Sequence, residues 1–375
     1  MKIQRFYQDL DSYFEPGRAL IIFGPRRVGK TTLLNDFLKR TPLRHKLDSG
    51  DNIKTQHVLG SQDFSAIREY AAGYELIAID EAQRIPAIGQ GLKIMVDQVP
   101  DIQIIVTGSS SFELSGQVGE PLTGRKTTLT LFPVAELELA SHFNRHELRE
   151  HLFERLVFGS YPEVVTALTR ADKMRILEEL LHSYVLKDIL ELEHVKGSKV
   201  LLDLLRLIAY QVGSEVSLSE IGTQIGLDTK TVHRYLDLLE KSFVLFNLRG
   251  FSRNLRKEVT KKSKYFFYDM GIRNAVISNF NAVSDRDDVG ALWENFVILE
   301  RLKKRSYYRI YANQYFWRTW THDEVDLVEE REGKLFGYEC KYSNTGGKGA
   351  TVWQTTYPDA TVDVVSKENY LDFIL

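Results

Sequence analysis

The stretch ALIIFGPRRVGKTTLLNDFLKR, residues 19–40, decides the fold of the first third of the chain. It opens on a short apolar run, passes through a glycine-bounded loop and ends in a helical pattern of leucines and phenylalanine. The loop has the spacing G-x-x-x-x-G-K-T, with Gly24, Pro25, Arg26, Arg27, Val28, Gly29, Lys30, Thr31 and Thr32 in order. A strand that delivers a glycine-rich loop to a helix N-terminus aims backbone N–H groups at one point, which suits phosphate. Lys30 is placed to reach the β- and γ-phosphates of ATP, and Thr31 to ligate Mg²⁺.

A second acidic element is expected about 50 residues on, in ELIAIDEAQRIP (residues 75–86). Its apolar run reads as a buried strand that ends in Asp80 and Glu81. Asp80 is expected to hold Mg²⁺ through water, and Glu81 to orient the hydrolytic water. A third strand, in DIQIIVTGSSSFEL (residues 101–114), ends in Thr107, Gly108 and Ser109. If it lies between the other two strands, a polar residue there touches the γ-phosphate or its water. PLTGRKTTLTLFP (residues 121–133) then sets Arg125 before another strand. Arg125 is a candidate to neutralise charge during phosphoryl transfer. The plainer readings are that Ser109 caps a turn and Arg125 makes a surface ion pair.

The remaining sequence must hold more than this one site. At 375 residues the chain is too long for one ordinary core, so two or three domains are expected. Apolar content of 43% and charged content of 27% fit a water-soluble globular chain. A net charge of −2 means that any nucleic-acid surface must be local. The one cysteine, Cys340, excludes an internal disulfide and suits a reducing, cytoplasmic setting. No run approaches the ~18 apolar residues of a membrane span.

The middle of the chain reads as helices from about residue 133, followed by a change of character near residue 198. SLSEIGTQIG (residues 217–226) is a short helix capped by Ser217 or Ser219, and LDTKTVHRYLDLLEKS (residues 227–242) is a second helix. Val232, Leu236 and Leu239 form its buried stripe, leaving Thr229, Lys230, His233 and Arg234 outward. Helix, short turn, helix and strands is the winged-helix order. Residues 249–264 carry seven Lys or Arg and one Glu, a candidate basic wing for DNA phosphates. The same run also reads as a solvated loop or a face for an acidic protein.

The tail raises a different chemistry. In EVDLVEEREGKLFGYECK (residues 324–341) two strand-like runs flank a polar, Gly-containing turn. A symmetric hairpin sets Asp326 opposite Glu339, and strand period two sets Glu339 and Lys341 on one face. Two carboxylates so placed hold Mg²⁺, and a nearby lysine positions the attacking water of a phosphodiester hydrolysis. The alternative is a solvated, charged hairpin. Upstream, DVGALWENFVILERLKKR (residues 288–305) is an amphipathic helix with Leu292, Phe296, Leu299 and Leu302 inward and Glu294 near its start. YYRIYA (residues 307–312) and QYFWRTW (residues 314–320) read as strands, and a helix and a strand close the chain.

Two resemblances follow from these motifs. The order GPRRVGKT, LIAIDEAQ, IIVTGSSS and LTGRK resembles the AAA-type P-loop ATPases of bacteria and archaea that carry a C-terminal domain of unknown function. It implies a Walker A loop at residues 24–32, a Walker B pair at Asp80 and Glu81, a sensor at Ser109 and an arginine finger at Arg125. An arginine acting on a neighbour's nucleotide needs a homo-oligomer, and one acting in cis does not. The helix with Glu294, then strands with Asp326, Glu339 and Lys341, resembles the PD-(D/E)XK nuclease fold. That likeness implies Glu294, Asp326 and Glu339 around Mg²⁺ or Mn²⁺ and Lys341 near the attacking water; Gln354 and Tyr357 fall where some relatives place DNA contacts. The expected architecture is α/β. A P-loop AAA-type parallel-sheet domain spans residues 1–132, a helical lid 133–197, a winged helix 198–284 and a small nuclease-like α/β domain 285–375. Two functions stay open: an ATPase acting on DNA with a metal-dependent nuclease-like domain, or a nucleotide-dependent switch or scaffold whose C-terminal domain binds without cutting.

Overall fold

A computed structural model describes residues 2–108, 121–182, 198–251, 263–319, 321–343 and 349–375. The chain forms two compact units. One comprises Gln4–Phe132 with Lys241–Phe243, and the other the remaining residues from Pro133 onward with the first three.

In the first unit five strands run parallel: β1 (Ala19–Phe23), β2 (His45–Ser49), β3 (Leu76–Asp80), β4 (Gln103–Gly108) and β5 (Lys126–Thr130). Their order is β2-β3-β4-β1-β5. β1 is therefore interior and buried along its whole length, as a strand covered on both faces should be. Ile21, Ile77, Ile79, Ile104 and Val106 share one core with Ile67, Leu92 and Met95 from flanking helices. β4 lies between the strand that enters the glycine loop and the strand that ends in Asp80, so three strand ends converge on one crevice.

Among the described residues, the second unit holds a seven-stranded mixed sheet ordered β12 (Thr361–Val365), β11 (Lys334–Cys340), β10 (Glu324–Arg331), β9 (Asn313–Arg318), β7 (Leu245–Gly250), β8 (Ser263–Phe267) and β6 (Glu215–Val216). Helices α2 (Ser198–Tyr210), α3 (Leu218–Ile225) and α4 (Thr229–Lys241) accompany β6 (Glu215–Val216), β7 (Leu245–Gly250) and β8 (Ser263–Phe267). Ser217 caps α3 by accepting from the Glu220 N–H, and Gly226 turns the chain at φ +70°. On α4, Val232, Leu236 and Leu239 are buried, while Thr229, Lys230, His233 and Arg234 are exposed. Most of the basic run at 249–264 lies outside the described residues. Its last member, Lys264, is buried in β8.

Helix α5 (Val289–Tyr307) leads to β9 (Asn313–Arg318), β10 (Glu324–Arg331), β11 (Lys334–Cys340), α6 (Gly349–Thr356) and β12 (Thr361–Val365). β7 pairs in parallel with β9, Arg249 against Tyr315 and Gly250 against Phe316. One sheet thus runs from the strands after α4 into the tail hairpin. Phe251 packs with Trp317, Val325, Val328, Leu335 and Trp353 in the core of that junction.

Two sequence expectations change here. YYRIYA is not a strand: α5 runs to Tyr307, and the chain then turns through Arg309 at φ 53°. Leu302 is only half-buried, whereas Arg301, Lys303 and Arg305 are buried. Burial of these cations is offset by carboxylates: Arg301 donates twice to Glu329 at 2.9 Å, and Lys303 donates to Glu300 at 2.7 Å. The helix is buried nearly all round, so its pattern is less amphipathic than an outer helix would need.

Trp353 is fully buried among three aromatic rings, with Tyr357 at 4.6 Å and Trp317 at 5.2 Å between centroids. Trp353→Ala is expected to cost about 3–5 kcal/mol. Urea unfolding of the second unit's transition measures this; a loss under about 1 kcal/mol would show that the junction core repacks freely.

Candidate functional site

The glycine loop is shaped by two conformations that side chains resist. Gly24 has φ +150°, and a Cβ there would stand 2.0 Å from the Leu131 carbonyl oxygen. Gly29 caps α1 (Lys30–Leu38) in the left-handed region at φ 97°. Behind the loop, Arg5 donates to the Val28 carbonyl and, at 2.7 Å, to the Phe132 carbonyl. This guanidinium ties the loop to the chain just past β5.

Lys30 turns back into the loop, where its Nζ donates to the carbonyls of Gly24 at 2.9 Å and Pro25 at 2.6 Å. Burial lowers its pKa to about 8, against the pull of Glu81 and Asp80. Thr31 Oγ1 donates to Asp80 Oδ2 at 2.8 Å. The other oxygen of Asp80 accepts from Thr107 Oγ1, and that hydroxyl accepts from the Glu81 N–H at 3.2 Å. Thr107 is fully buried at the end of β4. Glu81 leaves β3 in the left-handed region at φ 52° and accepts from Gln83 Nε2. A Cβ at Gly50 would stand 2.1 Å from the Glu81 carbonyl oxygen, so β2's exit loop also presses on this turn.

The structure therefore brings Lys30, Thr31, Asp80 and Glu81 together, and adds Thr107. These residues fit a nucleotide with Mg²⁺. The donor set offers a hydroxyl and a carboxylate already within hydrogen-bonding distance, beside a buried ammonium that has only carbonyls to bond. Ser109 lies outside the described residues. Arg125 donates from Nε to Asp97 at 2.7 Å, with both side chains partly exposed. Thr107 was legible as a polar residue at the end of a middle strand. Arg5 had no signal, because its partners lie 23 and 127 residues away.

The tail hairpin closes through Glu332 and Gly333 at φ 50° and 76°, the two-residue turn that strand twist favours. β10 and β11 pair with Leu327 against Tyr338 and Arg331 against Lys334, the register that runs on to Asp326 and Glu339. Against β9 the register of β10 shifts between Val325 and Val328. With that bulge both valines lie in one core, although they stand three residues apart on one strand.

Asp326 Oδ2 accepts from the Cys340 N–H at 2.7 Å and from Lys341 Nζ at 3.4 Å. Glu294, Glu324 and Asp326 each offer an oxygen, and all three lie within 4.8 Å of one another. Glu339 is buried but turns to the start of α6, where Oε1 accepts from the Ala350 N–H at 2.8 Å. Lys264, only 2% exposed, reaches into the carboxylates: its Nζ donates to Glu294 Oε1 at 3.0 Å and pairs with Glu324 Oε1. Burial alone would lower Lys264, but Glu294, Glu324 and Asp326 together hold it above its ordinary value. Burial and the crowding of Asp326 and Glu324 push Glu294 up to about 8, despite Lys264. Burial likewise raises Asp326.

Glu324 and Lys264 were not singled out from sequence. Glu324 stands two residues before Asp326 on one strand, a signal that was available. Lys264 carried none, since it read as the last cation of a basic surface run. Gln354 donates to the Ala360 carbonyl at 2.7 Å and Tyr357 packs on Phe251 and Trp353. Tyr357 packs against the local core, whereas Gln354 is exposed.

The first unit, with its all-parallel sheet, phosphate loop and paired acidic strand end, is a P-loop domain of the AAA ATPase type. Residues 16–140 match the family described as AAA domain. Residues 149–283 and 289–361 match two families described only as domains of unknown function, DUF8612 and DUF4143. The chain is similar to an uncharacterized protein of Mycobacterium tuberculosis, 27% identical over 87% of this chain and 71% of the relative. It is also similar to an uncharacterized protein of Haemophilus influenzae, 26% identical over 80% of this chain and 78% of the relative. Among solved structures it is similar to a Walker-type ATPase of Pyrococcus abyssi, with 18% identity, a TM-score of 0.47, and coverage of 72% of this chain and 93% of that one. Among the described residues, no helix is long and apolar enough to cross a membrane.

Thr107→Val keeps the shape of the side chain and removes its bonds to Asp80 and Glu81. ATP turnover should fall by about tenfold or more while nucleotide binding persists. Turnover assays beside fluorescent-nucleotide titration separate the two; unchanged turnover would show that Thr107 only packs.

Proposed function

We propose that this chain binds and hydrolyses ATP with Mg²⁺ and uses the cycle to act on DNA. The observation that carries the ATPase reading is the Thr31–Asp80 contact at 2.8 Å beside the buried Lys30. Mg²⁺, when bound with the nucleotide, would draw charge from the phosphates. Lys30 would bond the phosphate oxygens in place of the Gly24 and Pro25 carbonyls. Thr31, whose hydroxyl now donates to Asp80, would ligate that Mg²⁺, and Asp80 would hold it through water. Glu81, anchored through its N–H to Thr107, presents a carboxylate to orient water. Ser109 and Arg125 are candidates for sensing and charge neutralisation, and Arg125 would first leave Asp97.

DNA action is supported by α4, whose Thr229, Lys230, His233 and Arg234 are exposed and would face the groove if α4 is the reading helix of a winged helix. The nuclease reading of residues 285–375 rests on the convergence of Glu294 and Asp326, with Lys341 beside Asp326. Glu339, two residues before Lys341, is the fourth member of that proposed set, although its Oε1 is bonded to the Ala350 N–H. A specific observation favours the second reading, a switch or scaffold whose tail binds without cutting. The oxygens of Glu294 and Glu324 are spaced for a cation, and the cation between them is the ammonium of Lys264. As arranged, that cluster does not fit a divalent ion, and we derive no cleavage step through one.

Lys30→Ala should abolish ATP hydrolysis and leave the fold intact by circular dichroism; normal turnover would refute the phosphate-loop reading. Cleavage of linear, supercoiled and branched DNA with Mg²⁺ or Mn²⁺, with and without ATP, tests the tail. On the nuclease reading Asp326→Ala loses cleavage and keeps ATP turnover. No cleavage by the wild type on any substrate would leave the switch reading.

A further inference from the structure

We infer that Lys264 is the resident cation of the carboxylate cluster, and that Glu294, Glu324 and Asp326 take a divalent ion only when that side chain is withdrawn. Lys264 comes from β8, which pairs with β7 and β6, whereas its partners come from α5 and β10. A strand that follows α4 thus supplies a charge that offsets a carboxylate site built by the tail.

Each of the three carboxylates already has a cationic partner. Glu294 and Glu324 share Lys264, and Asp326 has Lys341 at 3.4 Å. Arg318 adds a further cation 3.7 Å from Glu324 Oε2. Lys264 is also fixed by its surroundings. It lies 5.3 Å from the centroid of Phe316, on the strand between β7 and β10. Across from it, Gly213 leaves room for Glu294: a Cβ there would stand 2.8 Å from Glu294 Oε2. An ammonium so buried and so bonded cannot swing aside at little cost, and it repels a second cation brought within a few ångströms. The same oxygens, freed of it, are hard donors with the spacing that Mg²⁺ or Mn²⁺ accepts.

The inference needs neither DNA nor cleavage, so it is tested by metal binding alone. Mn²⁺ is titrated into the nucleotide-free 375-residue chain by calorimetry and by electron paramagnetic resonance, with Asp326→Asn as the background. Wild type should show no Mn²⁺ site that Asp326→Asn removes. Lys264→Met should gain one, with affinity at least about tenfold above the Asp326→Asn background, and lose it again with Asp326→Asn. Removing the cation leaves buried carboxylates unpaired, so Lys264→Met combined with Glu324→Gln is the charge-balanced second variant. It keeps Glu294 and Asp326 and should gain the site as well. A wild-type site removed by Asp326→Asn would overturn the inference, and so would a folded variant of either kind that gains none. Failure here leaves the DNA reading standing, whereas a variant that binds Mn²⁺ and still cuts nothing would count against the nuclease reading alone.

Discussion

A carboxylate withdrawn from water must find a donor, and this constraint organises both units. In the second unit it is met by Lys264, which ties β8 to α5 and β10 through Glu294 and Glu324. Breaking such a buried pair from one side typically costs about 3–5 kcal/mol, because the other charge stays behind. That cost is what makes Lys264 a fixture of the sheet. The same rule places Arg301 and Arg305 on Glu329, and Arg155 on Glu136. Burial raises Glu136 to about 7 even with Arg155 beside it, a measure of how strongly these interiors disfavour a bare carboxylate.

The first unit meets the constraint differently. Asp80 is satisfied by two hydroxyls, Thr31 and Thr107, and, among the described residues, by no lysine or arginine donor. Neutral donors are readily exchanged for a metal shell, whereas an ammonium bonded to two carboxylates is not. Two acidic sites in one chain thus differ in readiness: Asp80 is held by groups that can let go, and Glu294 by one that resists. The difference lies in the partner's charge, since both sites collect polar groups at strand or helix ends.

Much of this was legible in residue order. The loop at residues 24–32, the strand ending in Asp80 and Glu81, and the middle strand ending in Thr107 follow from local periodicity and the spacing of glycines. The hairpin register was legible too, because Glu332–Gly333 admits a two-residue turn and so sets which residues face each other. The bulge at Asp326 was not, since a register shift depends on the neighbouring strand. The strand expected at residues 307–312 failed for a related reason: its aromatic run suits a strand, but α5 continues to Tyr307 and the chain then turns at Arg309.

Sequence alone determined which residues form the glycine loop proposed to hold phosphate, because that motif is one continuous strand, loop and helix whose geometry is set by nearest neighbours. Only the tertiary structure decided that β7 pairs with β9, that Arg5 braces the loop and that Lys264 stands among the carboxylates of the tail. Those partners are joined by long-range packing and by charge compensation, and neither leaves a periodicity in the chain to be read.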